Sequence, residues 1–261
     1  MTFTVHNFEI FLLILVRITA FVYVAPFFSL KNVPQKVKVG FSLFFSLILF
    51  QTVPGQIQYD GVIGYAALVI NELMVGLIIG FFTNVSYYIL NFAGSMMDME
   101  IGFSMVNEFD PVSNVQTTIT SNYYSYIVML MMLVTNLHHY IIKAMVDAFK
   151  VIPIGGASIS PNLYILMLKF IKDYFIIGFR IVLPVFAGML IVNSILAILA
   201  KIAPQLNMFV IGLQLKVFVG LLILFLLVGF TQTVSGFIFD EMLAMMKSAI
   251  EALSQGFTWG G

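Results

Sequence analysis

The 261-residue chain is 61% hydrophobic and 9% charged, with a formal net charge of zero and a mean hydropathy of +1.05; soluble domains average about 45–50% apolar and 25% charged residues. This composition describes an integral membrane protein, and its neutrality supplies no basic field for nucleic acid. The lack of cysteine excludes disulfides, Cys-x-x-Cys redox chemistry and thiolate metal sites.

The first apolar run, residues 10–30, follows an N-terminal stretch without a basic region and shows no small-residue cleavage pattern, so it reads as a retained first helix. Arg17 lies well inside it, where a lone cation is costly and a carboxylate or helix-end carbonyl is expected as partner. Turn chemistry at Lys31-Asn32-Val33-Pro34 leads to a second run, 37–53, which Pro54-Gly55 ends. In the third run, 62–92, Glu72, Gly76, Gly80 and Asn84 recur every four residues and so share one helix face. Glycines there let another helix come close, which makes the face a packing surface that carries a carboxylate. Glu72 therefore reads as half of an interhelical ion pair or hydrogen bond, ahead of a proton relay.

A polar, glycine-rich and acidic interruption runs from Gly94 to Thr120 and holds Asp98, Glu100, Gly102, Glu108, Phe109, Asp110 and Pro111. Irregular backbone survives at membrane depth only inside protein or beside a water-filled path, so this segment is a candidate gate. Met96, Met97, Met99 and Met105 crowd its start, where flexible thioethers suit a seal around changing shapes.

The fourth run, 123–149, contains His138 and His139, which a helix points about 100° apart, so they do not make an i, i+4 metal pair and a structural role is expected. Pro153-Ile154-Gly155-Gly156 and Ser160-Pro161 precede the fifth run, 163–200, where Arg180 again needs a partner and Pro184 is expected to kink or break the helix. Lys201, Ala203, Pro204, Gln205 and Asn207 form the turn into the sixth run, 208–239, in which Gly212, Lys216 and Gly220 share a face and Lys216 is expected to snorkel. Each run approaches or exceeds the roughly 20 residues of a spanning helix, which predicts an all-α membrane protein of about six long, partly kinked helices in hairpins.

The lysines disagree on topology. Lys31, Lys36 and Lys38 place the first loop inside, yet six spans then leave Lys143, Lys150, Lys169 and Lys172 outside, so some helices are expected not to cross lipid. No nucleophile–base constellation, carboxylate cleft or phosphate loop stands out, so neither catalysis nor a cofactor or metal is expected. On these features alone, a transporter coupled through Glu72, Arg17, Arg180 and a broken fifth helix is the first reading.

In combination, however, several motifs resemble the FliR family of flagellar export proteins, and more distantly the T subunits of type III secretion systems. They are Arg17 followed by Ala25-Pro26-Phe27-Phe28 and Val33-Pro34, Ala93-Gly94 through Met99 to Gly102-Phe103, and Phe109-Asp110-Pro111. Asn136-Leu137-His138-His139, Ile152-Pro153-Ile154-Gly155, Arg180 with Leu183-Pro184, and Ala203 through Gly212 continue the resemblance across nearly the whole chain. It implies a single-copy, non-enzymatic subunit of the export gate in the bacterial plasma membrane, within the flagellar basal body. The implied partners are FliP-like and FliQ-like membrane subunits, a FlhB-like switch protein, unfolded export substrates and lipid. It further implies a FliP-like part at 1–155 with a plug loop at about 94–120, a FliQ-like hairpin at 160–240 and a tail at 241–261. The turn at Lys201, Pro204, Gln205 and Asn207 would face the cytoplasmic entrance. Phe109 and the methionines would seal the pore, Gly94 and Gly102 would allow tight turns, and the carboxylates would fix the closed state. A pure scaffold of the basal body remains the third reading, in which changes to the loop are harmless.

Overall fold

A computed structural model of the chain describes residues 5–30, 33–53, 57–105, 118–158, 162–205 and 207–254. Among them are nine α-helices and no strand: α1 Val5–Val24, α2 Gln35–Phe50, α3 Gly61–Val85, α4 Tyr88–Ile101, α5 Ile119–Val134, α6 Leu137–Val151, α7 Asn162–Ile202, α8 Met208–Leu226 and α9 Thr231–Ser254. Four stretches are long and apolar enough to cross a bilayer: Val5–Val24, Gly61–Ile101, Leu163–Ile202 and Phe209–Ser254. The bent pair α5 and α6 makes a fifth if it is one broken span.

The apolar runs correspond to these helices with five differences. The third run divides at Ser86-Tyr87 into α3 and α4, and the fourth divides at Asn136, whose φ of +56° is left-handed, into α5 and α6. The interruption expected from Gly94 starts later, because α4 continues to Ile101 and ends at Gly102, whose φ is +96°. Pro184 does not break α7. It withholds only the N–H that the Arg180 carbonyl would accept, and the 41-residue helix continues through it. Residues 241–254, expected as tail, belong to α9. Their spacing explains this, since Met242, Met245, Met246, Ala249 and Leu253 recur at helical intervals and are all buried.

The chain divides into two compact units. The first comprises Met1–Ser86, Asn136–Ile171 and Asp240–Gly261. Here α1 packs on α2 and α3, burying Leu13, Ile14, Ile18 and Phe21. Helix α2 is inside out: Lys38, Ser42 and Ser46 are its buried residues together with Leu49, while Phe44 is 73% exposed. The polar row is partly satisfied within the unit, since the Ser42 hydroxyl donates to the Lys38 carbonyl (2.8 Å) and the Lys38 ammonium lies over the Tyr23 ring. The Ser158 N–H donates to the Leu253 carbonyl at 3.1 Å, which ties the end of α9 to the segment after α6.

The second unit comprises Tyr87–Thr135 and Lys172–Phe239. Helix α4 packs on α5 and touches α8. Phe92 inserts among Tyr174, Phe175 and Phe179 of α7, with ring centroids 5.3 to 5.6 Å apart, over the bare backbone of Gly178. A short 3-10 turn, Leu227–Phe230, joins α8 to α9. The apolar side chains of α8 face outward, with Phe225 75% exposed.

Candidate functional site

The first unit has a polar centre inside its apolar core. Arg17 enters from α1 and Glu72 from α3, and neither side chain keeps solvent-accessible surface. Arg17 Nε donates to Glu72 Oε2 at 2.5 Å and Nη2 to Oε1 at 2.9 Å, a side-on fork that only a planar guanidinium makes. The remaining donors find the turn that follows α6: Nη1 donates to the Ile152 carbonyl at 2.8 Å and Nη2 to that of Pro153 at 3.4 Å. Glu72 Oε1 also accepts the Gly155 N–H at 2.8 Å. The guanidinium carbon lies 4.3 Å from the centre of the Phe149 ring, which closes its other face. Beside the cluster, the Asn71 side-chain amide donates to the Ala157 carbonyl at 3.3 Å, and Gly155 adopts a φ of +74° that favours glycine.

The glycines below Glu72 explain how a charge pair forms here. A Cβ on Gly76 would overlap the Arg17 carbonyl oxygen and sit 2.8 Å from Ala20 Cβ; on Gly80 it would lie 3.1 Å from the Phe21 carbonyl oxygen. The face predicted from the four-residue spacing is thus the α1–α3 contact, and the two backbones must touch for Glu72 to reach Arg17.

The second unit holds the flanks of the polar interruption. Thr118 precedes α5 and makes no side-chain cap of its own; Asp98 of α4 does this instead. The Asp98 carboxylate accepts the Thr120 N–H at 3.2 and 3.3 Å and the Thr120 hydroxyl, so a fully buried anion sits on the positive end of α5. Further back along α4, about two turns before Asp98, the Ser121 hydroxyl donates to Asn91 Oδ1 at 2.6 Å, and just before α4 begins the Tyr87 hydroxyl donates to the Ser125 carbonyl at 3.1 Å. A Cβ on Gly94 would sit 2.6 Å from Ser121 Cβ, so Gly94 serves helix approach and not a turn.

The methionines at this point separate. Met97 is fully buried, Met96 is partly buried, Met99 is 66% exposed, and Met105 closes the 3-10 turn Phe103–Met105. Glu108, Phe109, Asp110 and Pro111 lie outside the described residues. Lys216 is half-buried and lines a 280 Å³ cavity with Met99, Gly102, Ser104 and Phe209, next to the start of that segment. Arg180 is exposed, and where a carboxylate or carbonyl was expected its guanidinium carbon lies 5.2 Å from the Phe237 ring centre. Lys201, Pro204, Gln205 and Asn207 form the exposed turn between α7 and α8, with the Asn207 carbonyl accepting the Val210 and Ile211 N–H groups. His138 stacks on Phe27 at 6.0 Å and lies 4.1 Å from His139 between ring centres. Among the described residues no group of three metal-ligating side chains is present.

Sequence reasoning missed Asn91, Phe149, Thr120 and Ser121, as well as the carbonyls of Ile152 and Pro153. Only the last two carried a signal, because the Pro-Ile-Gly-Gly turn marked an exposed helix end.

Long apolar helices with outward-facing aliphatic and aromatic residues, and with charge gathered inside, define a membrane-embedded helical protein. The chain belongs to the bacterial export proteins, family 1, whose model matches residues 8–242. It is similar to the flagellar biosynthetic protein FliR of Bacillus subtilis (strain 168), with 31% identity over 93% of this chain and 95% of that protein. The FliR of Escherichia coli (strain K12) is 27% identical over 92% of both chains, and that of Borreliella burgdorferi is 29% identical over 82% of this chain and 80% of its own.

Proposed function

We propose that this chain is a core subunit of the flagellar protein export gate in the bacterial plasma membrane and that the segment between α4 and α5 plugs the conduit. The observation that carries the reading is the full-length similarity to proteins named for flagellar biosynthesis, over a family of bacterial export proteins. On this reading FliP-like and FliQ-like subunits surround the chain, a FlhB-like protein meets the exposed turn at Lys201–Asn207, and unfolded substrates pass through the assembly. The 1–155 part is FliP-like and the 160–240 part FliQ-like.

The plug acts by occlusion, without bond chemistry. Its base is supported by Asp98 on Thr120 and by Gly94 against Ser121, which hold the two flanking helices together whether the segment between them is in or out. Movement then requires only that substrate interact differently with the two states. Phe109 and the neighbouring methionines supply apolar contact, and Glu108 and Asp110 supply polar contact. The transporter reading loses its support, because Arg17 and Glu72 satisfy each other and α7 is continuous. The scaffold reading draws on the rigid α1–α3 contact.

The experiment replaces residues 106–117 with a glycine-serine linker, leaving Asp98 and Thr118–Thr120 intact, and measures ion leak together with motility in cells whose basal bodies still assemble. Leak through intact assemblies supports the plug. Normal export without leak removes it and leaves a scaffold.

A further inference from the structure

The first unit carries a groove of about 470 Å³ between α6 and α9 that the export reading does not use. Its walls are the small Ala144 and Ala148 on α6 and the larger Leu243 and Ile250 on α9. Lys143 and Lys247 also line it and make no ion pair among the described residues. The groove is thus a space that large apolar side chains would fill and that cations border.

One end of the groove is also where α9 stops. Leu243, Lys247, Ile250 and Glu251 form the groove-facing stripe of α9, and the next position on that stripe is Ser254, the last residue of the helix. The chain therefore leaves α9 on the groove side. The Ser158 N–H, donated to the Leu253 carbonyl at 3.1 Å, fixes this exit beside the segment that follows α6, and Val151, the last residue of α6, lines the groove as well.

The sequence beyond this exit is Gln255-Gly256-Phe257-Thr258-Trp259-Gly260-Gly261, which lies outside the described residues and contains the one tryptophan of the chain. Gly256 stands two positions past the helix, the place where a left-handed glycine turns a chain back across its helix end. In an extended stretch Phe257 and Trp259 project to one side and Thr258 to the other. Three extended residues carry Phe257 about 10 Å from Ser254, and five carry Trp259 about 17 Å. Measured back along α9 from the same residue, Ile250 lies about 6 Å away and Leu243 about 16 Å. Both rings can therefore come level with the apolar side chains of the groove.

We infer that residues 256–259 fold back over α9 and dock in this groove as a strap, with Phe257 against Ile250 and Ala148 and Trp259 against Leu243 and Ala144. Lys247, placed on α9 between the two ring positions, supplies the cation that a tryptophan face attracts. The strap holds the end of α9 to α6 and keeps other molecules out of the groove.

The chain has no cysteine, so a single thiol can report on the groove. Ala144→Cys is introduced into the full chain, and its labelling by a water-soluble maleimide is followed in native membranes and in assembled basal bodies. With the strap in place labelling is slow. Phe257→Ala and Trp259→Ala each raise the rate about tenfold, the lower limit for exposing a large apolar side chain. Lys247→Gln raises it about threefold, and Trp259→Phe keeps most of the protection. Tyr164→Cys, on an α7 residue that is 67% exposed and does not line the groove, labels at one rate in every background. Fast labelling of the groove thiol with the strap unaltered overturns the assignment. So does slow labelling that survives Phe257→Ala combined with Trp259→Ala, because lipid, a second copy or a partner protein then covers the groove. A parallel rise at position 164 also overturns it, since the strap variants would then loosen the whole unit.

Discussion

The guanidinium of Arg17 and the carboxylate of Glu72 meet edge to edge, at 2.5 Å and 2.9 Å, with no solvent-accessible surface on either side chain. The pair joins three separate parts of the chain, because Arg17 also holds the carbonyls of Ile152 and Pro153 and Glu72 also holds the Gly155 amide. Losing it would remove the polar tie between these helices and the turn after α6, leaving the apolar α1–α3 contact to hold that helix pair alone.

Removing one partner should therefore cost far more than removing both. Glu72→Ala or Arg17→Ala leaves a buried charge uncompensated and is expected to destabilise the protein by about 3–5 kcal/mol. The double replacement Arg17→Met with Glu72→Leu should recover most of that loss. Thermal unfolding of the detergent-solubilised chain, followed by size-exclusion fluorescence, measures both, and equal losses in single and double variants would contradict a coupled pair.

Two glycines give a matched contrast. Gly76→Ala inserts a methyl against the Arg17 carbonyl and should separate α1 from α3, at a cost of about 1–3 kcal/mol from overpacking. Gly236→Ala on α9 meets nothing within 4 Å and should be neutral or stabilising by up to about 1 kcal/mol. The same unfolding assay reads both.

Asp98→Ala removes the anion from the start of α5. The expected cost is about 1.5–3 kcal/mol, the range for hydrogen bonds to charged groups. Hydrogen exchange localises the effect: the amides of Thr120 and Ser121 should lose protection while those of α1 keep theirs.

Gly102 holds a φ of +96° with open space around it, so its replacement by alanine is a pure backbone test. The left-handed conformation costs a side-chain-bearing residue about 1–2 kcal/mol. Gly102→Ala should unwind the last turn of α4, seen as faster exchange at the Gly102 position, whose N–H donates to the Asp98 carbonyl.

The helical, membrane-embedded class was legible because apolar runs of sufficient length admit few other structures. The partners were not. A lone Arg17 in an apolar run demands a carboxylate but does not say which, and Glu72 stands 55 positions away, beyond any local spacing rule. Asp98 read as part of a loop because helix caps ordinarily come from the residue next to the helix, and this one comes from 22 positions upstream. Gly94 shows a second kind of ambiguity. Glycine marks both turns and places where backbones touch, and only the position of Ser121 decides between them. For Arg180 the sequence pointed to a carboxylate or carbonyl and gave no sign of the ring of Phe237 that lies beside it.

The hydrogen bonds from Thr120 to Asp98 have a consequence for how the intervening segment can vary. With α4 and α5 fastened to each other at their facing ends, the stretch between residues 105 and 118 bears no load in connecting them. Lengthening such a closed segment is thermodynamically mild, about 0.6 kcal/mol for each doubling. Insertions there should therefore leave the helical frame intact.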